Sequence, residues 1–312
     1  MFVNILNIVL PVFAVIGLGT LLRRWQMVDQ PFILQTNRLV FYVALPLLLF
    51  YKIGTADFLA SFNGRLVAIS MIALVLVFSG ALLWGKLRRY PPAIFGAFCQ
   101  GAFRGNLAYV GLAMVFNAYG EDGLTRAGLL MGFLVPLLNL LAILALLLPQ
   151  RHHNTSAHKV SWLRQLALNP LIIASALGVA WSFLNIPMPL MLERTLNIAT
   201  GMALPLALLA IGASFSLDKL RGDMVVAGLS TLSKLLILPA LTALLLSLAN
   251  ITGLDFAIGV LIAATPAATA NYILAHQLGG DAELSGSIVM ISTLASCFTY
   301  TIILLLLRSN GL

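Results

Sequence analysis

Apolar runs of about 20 residues, separated by short polar connectors, follow one another along nearly the whole chain. A helix needs roughly 20 mostly apolar residues to span the hydrocarbon core of a bilayer. Runs of this length therefore predict an all-α integral membrane protein. Ten runs qualify, at residues 5–22, 31–51, 66–84, 91–119, 127–148, 166–184, 196–214, 224–248, 254–277 and 284–307. The second run is the weakest, because Arg38 lies inside it.

The small number of charged side chains supports a membrane location. Only 9% of the residues are charged and 61% are hydrophobic, whereas about 25% of a soluble domain is charged. The formal net charge is +8, but the basic residues lie mostly in the connectors. Orientation and contact with anionic lipid headgroups explain this distribution better than binding of a nucleic acid.

The basic connectors predict the orientation of the chain, since Lys and Arg concentrate on the cytoplasmic side. With the N-terminus outside, the inside connectors hold most of them: Arg23, Arg24, Lys86, Arg88, Arg89, Arg151, Lys159, Arg164, Lys219 and Arg221. We therefore expect both termini outside a cytoplasmic (inner) membrane. The connector at 279–283 is acidic, although this orientation places it inside.

Landmark residues recur at an offset of 159 positions. The pairs are Pro11 and Pro170, Gly19 and Gly178, Pro46 and Pro205, Gly120 and Gly279, and Asp122 and Asp281. We expect two five-helix repeats at 1–150 and 166–312, joined by a cytoplasmic linker at 151–165. An odd helix number gives the repeats opposite orientations, a common construction in secondary transporters. A coincidental repeat in a membrane enzyme or receptor is the alternative.

The fourth and ninth predicted helices are the most irregular, and they are equivalent under the repeat. The fourth contains Gln100-Gly101-Ala102-Phe103-Arg104-Gly105-Asn106, and the ninth contains Ala264-Thr265-Pro266-Ala267-Ala268-Thr269. Proline removes a helical hydrogen bond, and glycine permits unwinding. Paired interruptions predict a binding site near the middle of the membrane. The alternative is a kink and close packing alone.

Helix ends that meet inside a membrane favour anions at their N–H groups. Arg104 adds a positive charge there, and a central Arg costs about 2.5–3.5 kcal/mol on insertion scales. A charge-assisted hydrogen bond contributes about 1.5–3 kcal/mol, so a substrate carboxylate can offset that cost. Pairing with backbone carbonyls, or snorkelling, is the structural alternative.

From this pattern we expect a substrate site and two supporting sets of residues. The substrate-binding candidates are Arg104, Gly105, Asn106, Tyr109, Thr265, Pro266, Thr269, Asn271 and Tyr272. Lys234 and Asn139 are candidates for ion coupling or substrate contact, and Gly101, Pro46 and Pro205 for helix breaks or hinges. Lys234 could equally face a water-filled cleft, Asn139 could bond between helices, and both tyrosines could simply pack.

The sequence contains no nucleophile–base arrangement, phosphate-binding loop or dinucleotide motif. It also shows no metal spacing, and His152, His153 and His158 read as a solvated linker. We therefore expect no enzyme activity, no cofactor and no metal. The driving force would be a gradient of the solute or of a coupled ion.

At these residues the sequence resembles the auxin efflux carrier family in its short bacterial form. The resemblance covers essentially the whole chain. It rests on Asn7 to Phe13, Leu45-Pro46, Asn106 to Gly111, Thr265 to Ala268, and Asn271-Tyr272. Here Arg104-Gly105-Asn106 stands where plant members have an Asn-Pro-Asn pattern, so the proline is absent and auxin is in doubt as the substrate. The acidic residues that bind sodium in the related bile-acid branch are absent from the ninth helix.

The resemblance implies a PIN-like fold of ten helices, in which interrupted helices four and nine cross at the binding site. It implies a scaffold at 1–60 plus 166–216 and a transport part at 62–148 plus 222–308. It also implies a homodimer that carries weak-acid anions such as dicarboxylates.

We therefore expect a secondary transporter of a small organic anion, a mono- or dicarboxylate, that works by an elevator-type alternating-access mechanism with protons as a candidate coupling ion. The alternatives are an ion-coupled carrier of a neutral or sterol-like ligand, and a membrane ligand sensor.

Overall fold

The computed structural model describes residues 2–150, 168–184, 186–215 and 222–312. The linker predicted at 151–165 lies outside this set. The regular structure of the described residues is helical, without strands, so the all-α prediction is confirmed. The helices are α1 Phe2–Arg24, α2 Gln30–Leu39, α3 Leu45–Gly54, α4 Phe58–Ser61, α5 Gly64–Leu87, α6 Pro92–Phe103, α7 Leu112–Leu147, α8 Pro170–Phe183, α9 Leu190–Thr200, α10 Ala203–Ser214, α11 Met224–Leu232, α12 Leu238–Leu248, α13 Gly253–Ala263, α14 Ala270–Gln277 and α15 Ala282–Ser309.

Seven stretches of the described chain are long and apolar enough to cross a membrane. They are Phe2–Arg24, Gln30–Gly54, Gly64–Leu87, Leu107–Gln150, Leu190–Ser214, Met224–Leu248 and Ala282–Ser309. Helices α6, α8 and α13 are also apolar but shorter, at 10–17 residues. Because these three cannot each span a bilayer as one straight helix, any crossing they make needs a further segment.

Single π-helical turns connect otherwise continuous helices in two places. Val40–Ala44 joins α2 to α3, and Ser233–Ile237 joins α11 to α12. Helix α7 instead changes direction at Gly120, whose φ of 62° and ψ of −149° are not helical. Glycine adopts a positive φ without steric cost, so the chain turns there.

The chain forms two compact units. The first comprises Met1–Gly64, Ala108–Phe133 and Arg164–Phe215. Within it α1 packs on α10, where Gly19 lies against the backbone of Leu209 and Gly212 against that of Ile16. A Cβ at either glycine would overlap a carbonyl oxygen of the facing helix, so these two backbones approach closely.

A second glycine contact in the first unit joins α3 to α8. Gly54 and Gly178 face each other, and a Cβ at Gly178 would lie 3.0 Å from Ile53 Cβ. Gly19 and Gly178 are one of the pairs at the 159-residue offset. The first unit therefore contains two glycine-mediated helix pairs, with one member of the repeated pair in each.

The second unit comprises Arg65–Leu107, Leu134–Leu163 and Ser216–Leu312. Its longest helix is α15, which packs on α6, α11 and α14. Asp281 caps α15 by accepting a hydrogen bond from Leu284 N at 2.9 Å. This cap gives an acidic residue of the 279–283 connector a local structural role.

Candidate functional site

The second unit contains the first helix interruption that the sequence predicts. Helix α6 ends at Phe103, and Arg104 has an extended backbone, with a φ of −77° and a ψ of 100°. Gly105 and Asn106 continue the irregular segment, and a π-helical turn begins at Leu107. Arg104 N still donates to Gln100 O at 3.0 Å, but the Arg104 carbonyl and the Asn106 N–H are free to pair with another segment.

The second interruption follows α13, which ends at Ala263. Pro266 has no N–H to donate to Ile262, and its ring would clash with the preceding helical turn. The Thr265 hydroxyl instead donates to Ile262 O at 2.9 Å. The helix resumes at Ala270, so residues 264–269 form a non-helical segment whose freed carbonyl is satisfied locally.

The two interrupted segments pair with each other in an antiparallel arrangement. Gly105 and Ala267 form an isolated β-bridge. Asn106 N donates to Pro266 O at 2.7 Å, and Ala268 N donates to Arg104 O at 3.0 Å. These hydrogen bonds replace those that the helices lose, so the crossing is stable away from water. We call residues 104–106 and 264–269 the crossing.

Gly105 is the residue that allows the crossing to close. A Cβ at this position would overlap Thr265 Oγ1 and lie 2.9 Å from Lys234 Cε. Every other amino acid carries a Cβ, so none fits here without displacing one of these groups. Ala267 N, on the other side of the bridge, donates to Ser292 Oγ at 3.0 Å, which anchors the crossing to α15.

The guanidinium of Arg104 is half-buried and is held by side-chain amides. Nη2 donates to Asn139 Oδ1 at 2.8 Å, and Nη1 donates to Asn271 Oδ1 at 3.2 Å. No Asp or Glu among the described residues forms an ion pair with it. Arg104 therefore carries a positive charge whose partners are neutral.

Two buried amide atoms beside Arg104 have no hydrogen-bond partner. Gln100 Nε2 donates to Asn271 Oδ1 at 3.3 Å, which leaves Gln100 Oε1 and Asn271 Nδ2 unpaired. Asn271 is 1% exposed and Gln100 is fully buried. An unpaired buried polar atom is costly, so the cluster has one donor and one acceptor available for a ligand or water.

Lys234 packs beside Gly105. Its side chain is 1% exposed, and Nζ donates to Ala263 O at 2.6 Å. Gly105 therefore follows Arg104 in sequence and packs beside Lys234 in space.

The structure gathers most of the predicted site residues in the second unit. These are Arg104, Gly105, Asn106, Asn139, Lys234, Thr265, Pro266, Thr269, Asn271 and Tyr272. Thr269 is half-buried immediately before α14, and Tyr272 is exposed on α14, where its ring lies beside Gly286. Tyr109 belongs to the first unit, where its hydroxyl donates to Asn37 O at 3.5 Å.

The three predicted hinge residues occupy helices. Gly101 lies within α6, against Ser230 and Ile288, and the irregular backbone begins only at Arg104. Pro46 lies in the first turn of α3, directly after a π-helical turn. Pro205 lies in the first turn of α10, just after the turn that separates α10 from α9.

Sequence reasoning did not single out Gln100 or Ser292. Gln100 is an amide within an apolar run, which is a usable signal. Ser292 is one of several serines on α15, and its sequence gives no reason to prefer it.

The first unit contains a separate cavity of about 410 Å³. Its lining is mainly apolar and includes Pro11, Phe116, Leu204 and Pro205. Lys52 and Glu121 also line it and form an ion pair at 2.7 Å. Because this cation already has a carboxylate partner, the cavity is a weaker candidate for anion binding than the cluster around Arg104.

Comparison with known proteins defines the class. The chain is 29% identical to a protein of Rhizobium meliloti (strain 1021) named as a putative malonate transporter, over 99% of this chain and 98% of that protein. It is 26% identical to an uncharacterized transporter of Methanothermobacter thermautotrophicus, over 92% and 93% of the two chains. An uncharacterized transporter of Methanocaldococcus jannaschii is 22% identical over 82% and 84%.

The family comparison agrees with these relatives. A profile of the family described as "Membrane transport protein" matches residues 4–304. The protein is therefore a membrane transporter and not an enzyme. It belongs to the membrane transport protein family, and the resemblance to auxin efflux carriers is confirmed.

Proposed function

We propose that this transporter carries small organic anions, mono- or dicarboxylates, and that the cluster around Arg104 binds them. The observation that carries the proposal is the guanidinium held by two neutral amide oxygens, beside the unpaired Asn271 Nδ2. A half-buried positive charge with neutral partners is suited to an anion that arrives and leaves.

The chemistry of binding follows from the donors present. A guanidinium has five N–H donors in a planar fork that matches a carboxylate. Hydrogen bonds between charged partners are roughly twice as strong as neutral ones. A substrate carboxylate can therefore displace the oxygens of Asn139 and Asn271, and Asn271 Nδ2 can donate to it as well.

The named relative supports a dicarboxylate. The Rhizobium meliloti protein is named as a putative malonate transporter and aligns with nearly the whole of this chain. Lys234, a buried cation beside Gly105, adds to the positive potential at the crossing without being a proposed substrate contact. Malonate is consequently the first substrate to test.

We propose that the architecture is a pair of inverted five-helix repeats that together cross the membrane ten times. Support comes from equivalent features of the two halves. Helices α6 and α13 are both interrupted, and Gly120 and Gly279 both have positive φ, at 62° and 72°. The α1–α10 and α3–α8 glycine contacts also correspond under the offset.

The remaining features of the proposal follow the sequence and the family. We place both termini outside an inner membrane and expect a homodimer, with protons as the coupling ion. The moving part is proposed to be 62–148 plus 222–308, of which residues 108–133 belong to the first compact unit and most of the rest to the second. The second compact unit contains the whole crossing, as expected if the site moves as one body in an elevator mechanism.

Uptake into proteoliposomes tests the proposal. The purified protein should accumulate labelled malonate or another small carboxylate, and Arg104→Gln should lower the initial rate at least about tenfold, the equivalent of 1.4 kcal/mol. Arg126→Gln is the matched control, because Arg126 belongs to the first unit and pairs with the exposed Asp122. Exposed pairs contribute about 0–1 kcal/mol, so that variant should transport normally. Wild-type transport by Arg104→Gln would refute the assigned role.

A further inference from the structure

Lys234 lies where two structural irregularities meet. It belongs to the π-helical turn Ser233–Ile237, within the otherwise continuous stretch Met224–Leu248. Its ammonium points to Ala263 O, the last residue of α13. A π-helical turn inside a helix is rare and is often found at functional positions.

The carbonyl end of α13 carries partial negative charge and lacks helical partners. The last carbonyls of a helix have no intrahelical donor, and their dipoles add up to a negative pole. Thr265 satisfies Ile262 O, and Lys234 Nζ donates to Ala263 O at 2.6 Å.

The end of α13 is the hydrogen-bonding partner of the Lys234 ammonium. Among the described residues no carboxylate pairs with it, and its hydrogen bond runs to Ala263 O. A void of about 20 Å³ borders the side chain and is lined mostly by apolar residues such as Phe103, Leu138 and Ile262. The charge of Lys234 therefore balances the helix pole and not an acidic side chain.

The ammonium also touches the crossing. A Cβ at Gly105 would lie 3.1 Å from Lys234 Nζ, so the extended backbone of Gly105 runs directly beside the charge. Thr265 Oγ1 approaches the same point. One cation thus contacts the end of α13 and the strand-like segment that follows α6.

We propose that Lys234 is a built-in cation that closes the carbonyl end of α13 and holds the two interrupted segments in register. It is a positioning residue, and its charge as well as its volume is required. The helical stretch Met224–Leu248 therefore supplies the positive group that the carbonyl end of α13 needs.

One consequence rests on the proposed function. If the crossing binds the substrate, the cation at its base stays in place through each transport cycle. Because Lys234 already supplies the cation at this position, no sodium ion is needed there. Wild-type uptake should then proceed equally in sodium and choline media.

Chemical rescue tests the proposal in purified protein. Lys234→Ala removes three carbons and the ammonium, which together correspond to n-propylammonium, and the bordering void gives additional room. We expect the variant to lose about 5 °C or more in Tm. Millimolar n-propylammonium should restore at least about half of that loss. The neutral 1-propanol, of nearly the same size, should not.

Two further variants separate charge from packing and cover a failure of Lys234→Ala to fold. Lys234→Arg should keep yield and Tm near those of the wild type, and Lys234→Met should not. Lys52→Ala, in the first unit, is the control and should show no rescue by n-propylammonium. A wild-type Tm for Lys234→Met, or equal rescue by 1-propanol, would overturn the proposal, as would sodium-dependent uptake by the wild type.

The readouts distinguish this inference from the proposed function. The Tm measurements use no transported substrate. Normal malonate uptake by Lys234→Met would reject only the positioning role proposed for Lys234. Amine rescue in a protein that transports no carboxylate would reject only the assigned cargo.

Discussion

Arg104 and its amide neighbours form a cluster with one charge and several uncharged donors and acceptors. Asn139 and Asn271 supply the oxygens, and Gln100 extends the cluster to a side chain that is fully buried. Amide oxygens hold a guanidinium more weakly than carboxylates do, so the positions of these residues are suited to exchange of a bound anion.

A permanent carboxylate beside Arg104 should block the site. Asn139→Asp keeps the size of the side chain and places a negative oxygen where Oδ1 now accepts from Nη2 at 2.8 Å. We expect carboxylate uptake to fall at least about tenfold, because the new carboxylate occupies the guanidinium in place of the substrate.

The control for this variant is Asn197→Asp, which adds the same charge at an exposed position of the first unit. It should leave the uptake rate unchanged. Unaltered transport by Asn139→Asp would show that Arg104 does not meet the substrate.

Gly105 gives a second test at the residue scale. In Gly105→Ala the new methyl group would overlap Thr265 Oγ1 and crowd Lys234, so both Tm and uptake should decrease. Gly228→Ala, on α11 of the same unit, is the control because nothing lies within 4 Å of its Cβ position. Alanine is favoured over glycine in helices by about 0.8–1.0 kcal/mol, so the control should keep or raise Tm. An equal response of the two variants would contradict a tight crossing.

The sequence identifies the charged member of the site more readily than its partners. Arg104 is conspicuous because a basic residue inside an apolar run is rare. The contacts of Gln100 and Ser292 depend on residues 171 and 25 positions away, at Asn271 and Ala267. Such pairings are set by the tertiary arrangement, which no local pattern reveals.

Among helices, the interruptions are the features that local chemistry determines best. Pro266 stops α13 because it removes a donor and clashes with the preceding turn, and Thr265 compensates the freed carbonyl. The π-helical turns at Val40–Ala44 and Ser233–Ile237 were not predicted. Their sequences are ordinary helix sequences, so the wider π-helical turn has to be determined by packing against other helices.

Restoring a helix at the second interruption should abolish function. Pro266→Ala supplies the missing N–H and allows α13 to continue toward α14, at the expense of the hydrogen bond from Asn106 N to Pro266 O. We expect the uptake rate to fall at least about tenfold. Pro31→Ala, at the exposed first turn of α2 in the first unit, should transport normally. Full activity of Pro266→Ala would mean that the break is not required for transport.

For the whole molecule, the helical membrane class follows directly from composition, because so few charges cannot cover a soluble surface. The number of membrane crossings does not follow from composition. Helices α6, α8 and α13 are each too short to be recognised as crossings by length alone, so counting them requires the repeat argument.

Labelling of single cysteines tests the crossing number, since an even number places both termini on the same side. In a background of Cys99→Ala and Cys297→Ala, residues are introduced one at a time as Val3→Cys, Met27→Cys and Ser309→Cys, all at exposed positions. A membrane-impermeant maleimide should label positions 3 and 309 in intact cells, and position 27 only after permeabilisation. Labelling of the two termini from opposite sides would exclude ten crossings.

The most direct measurement of the central claim is ligand-dependent thermal stability of the purified protein. Malonate and a panel of small mono- and dicarboxylates would be added to the wild type and to Arg104→Gln at constant ionic strength and pH. A ligand at 100 times its Kd stabilises a folded protein by about 2.7 kcal/mol, so a specific carboxylate should raise the Tm of the wild type by several degrees. The account predicts no such rise for Arg104→Gln, and an equal rise in both proteins would contradict it.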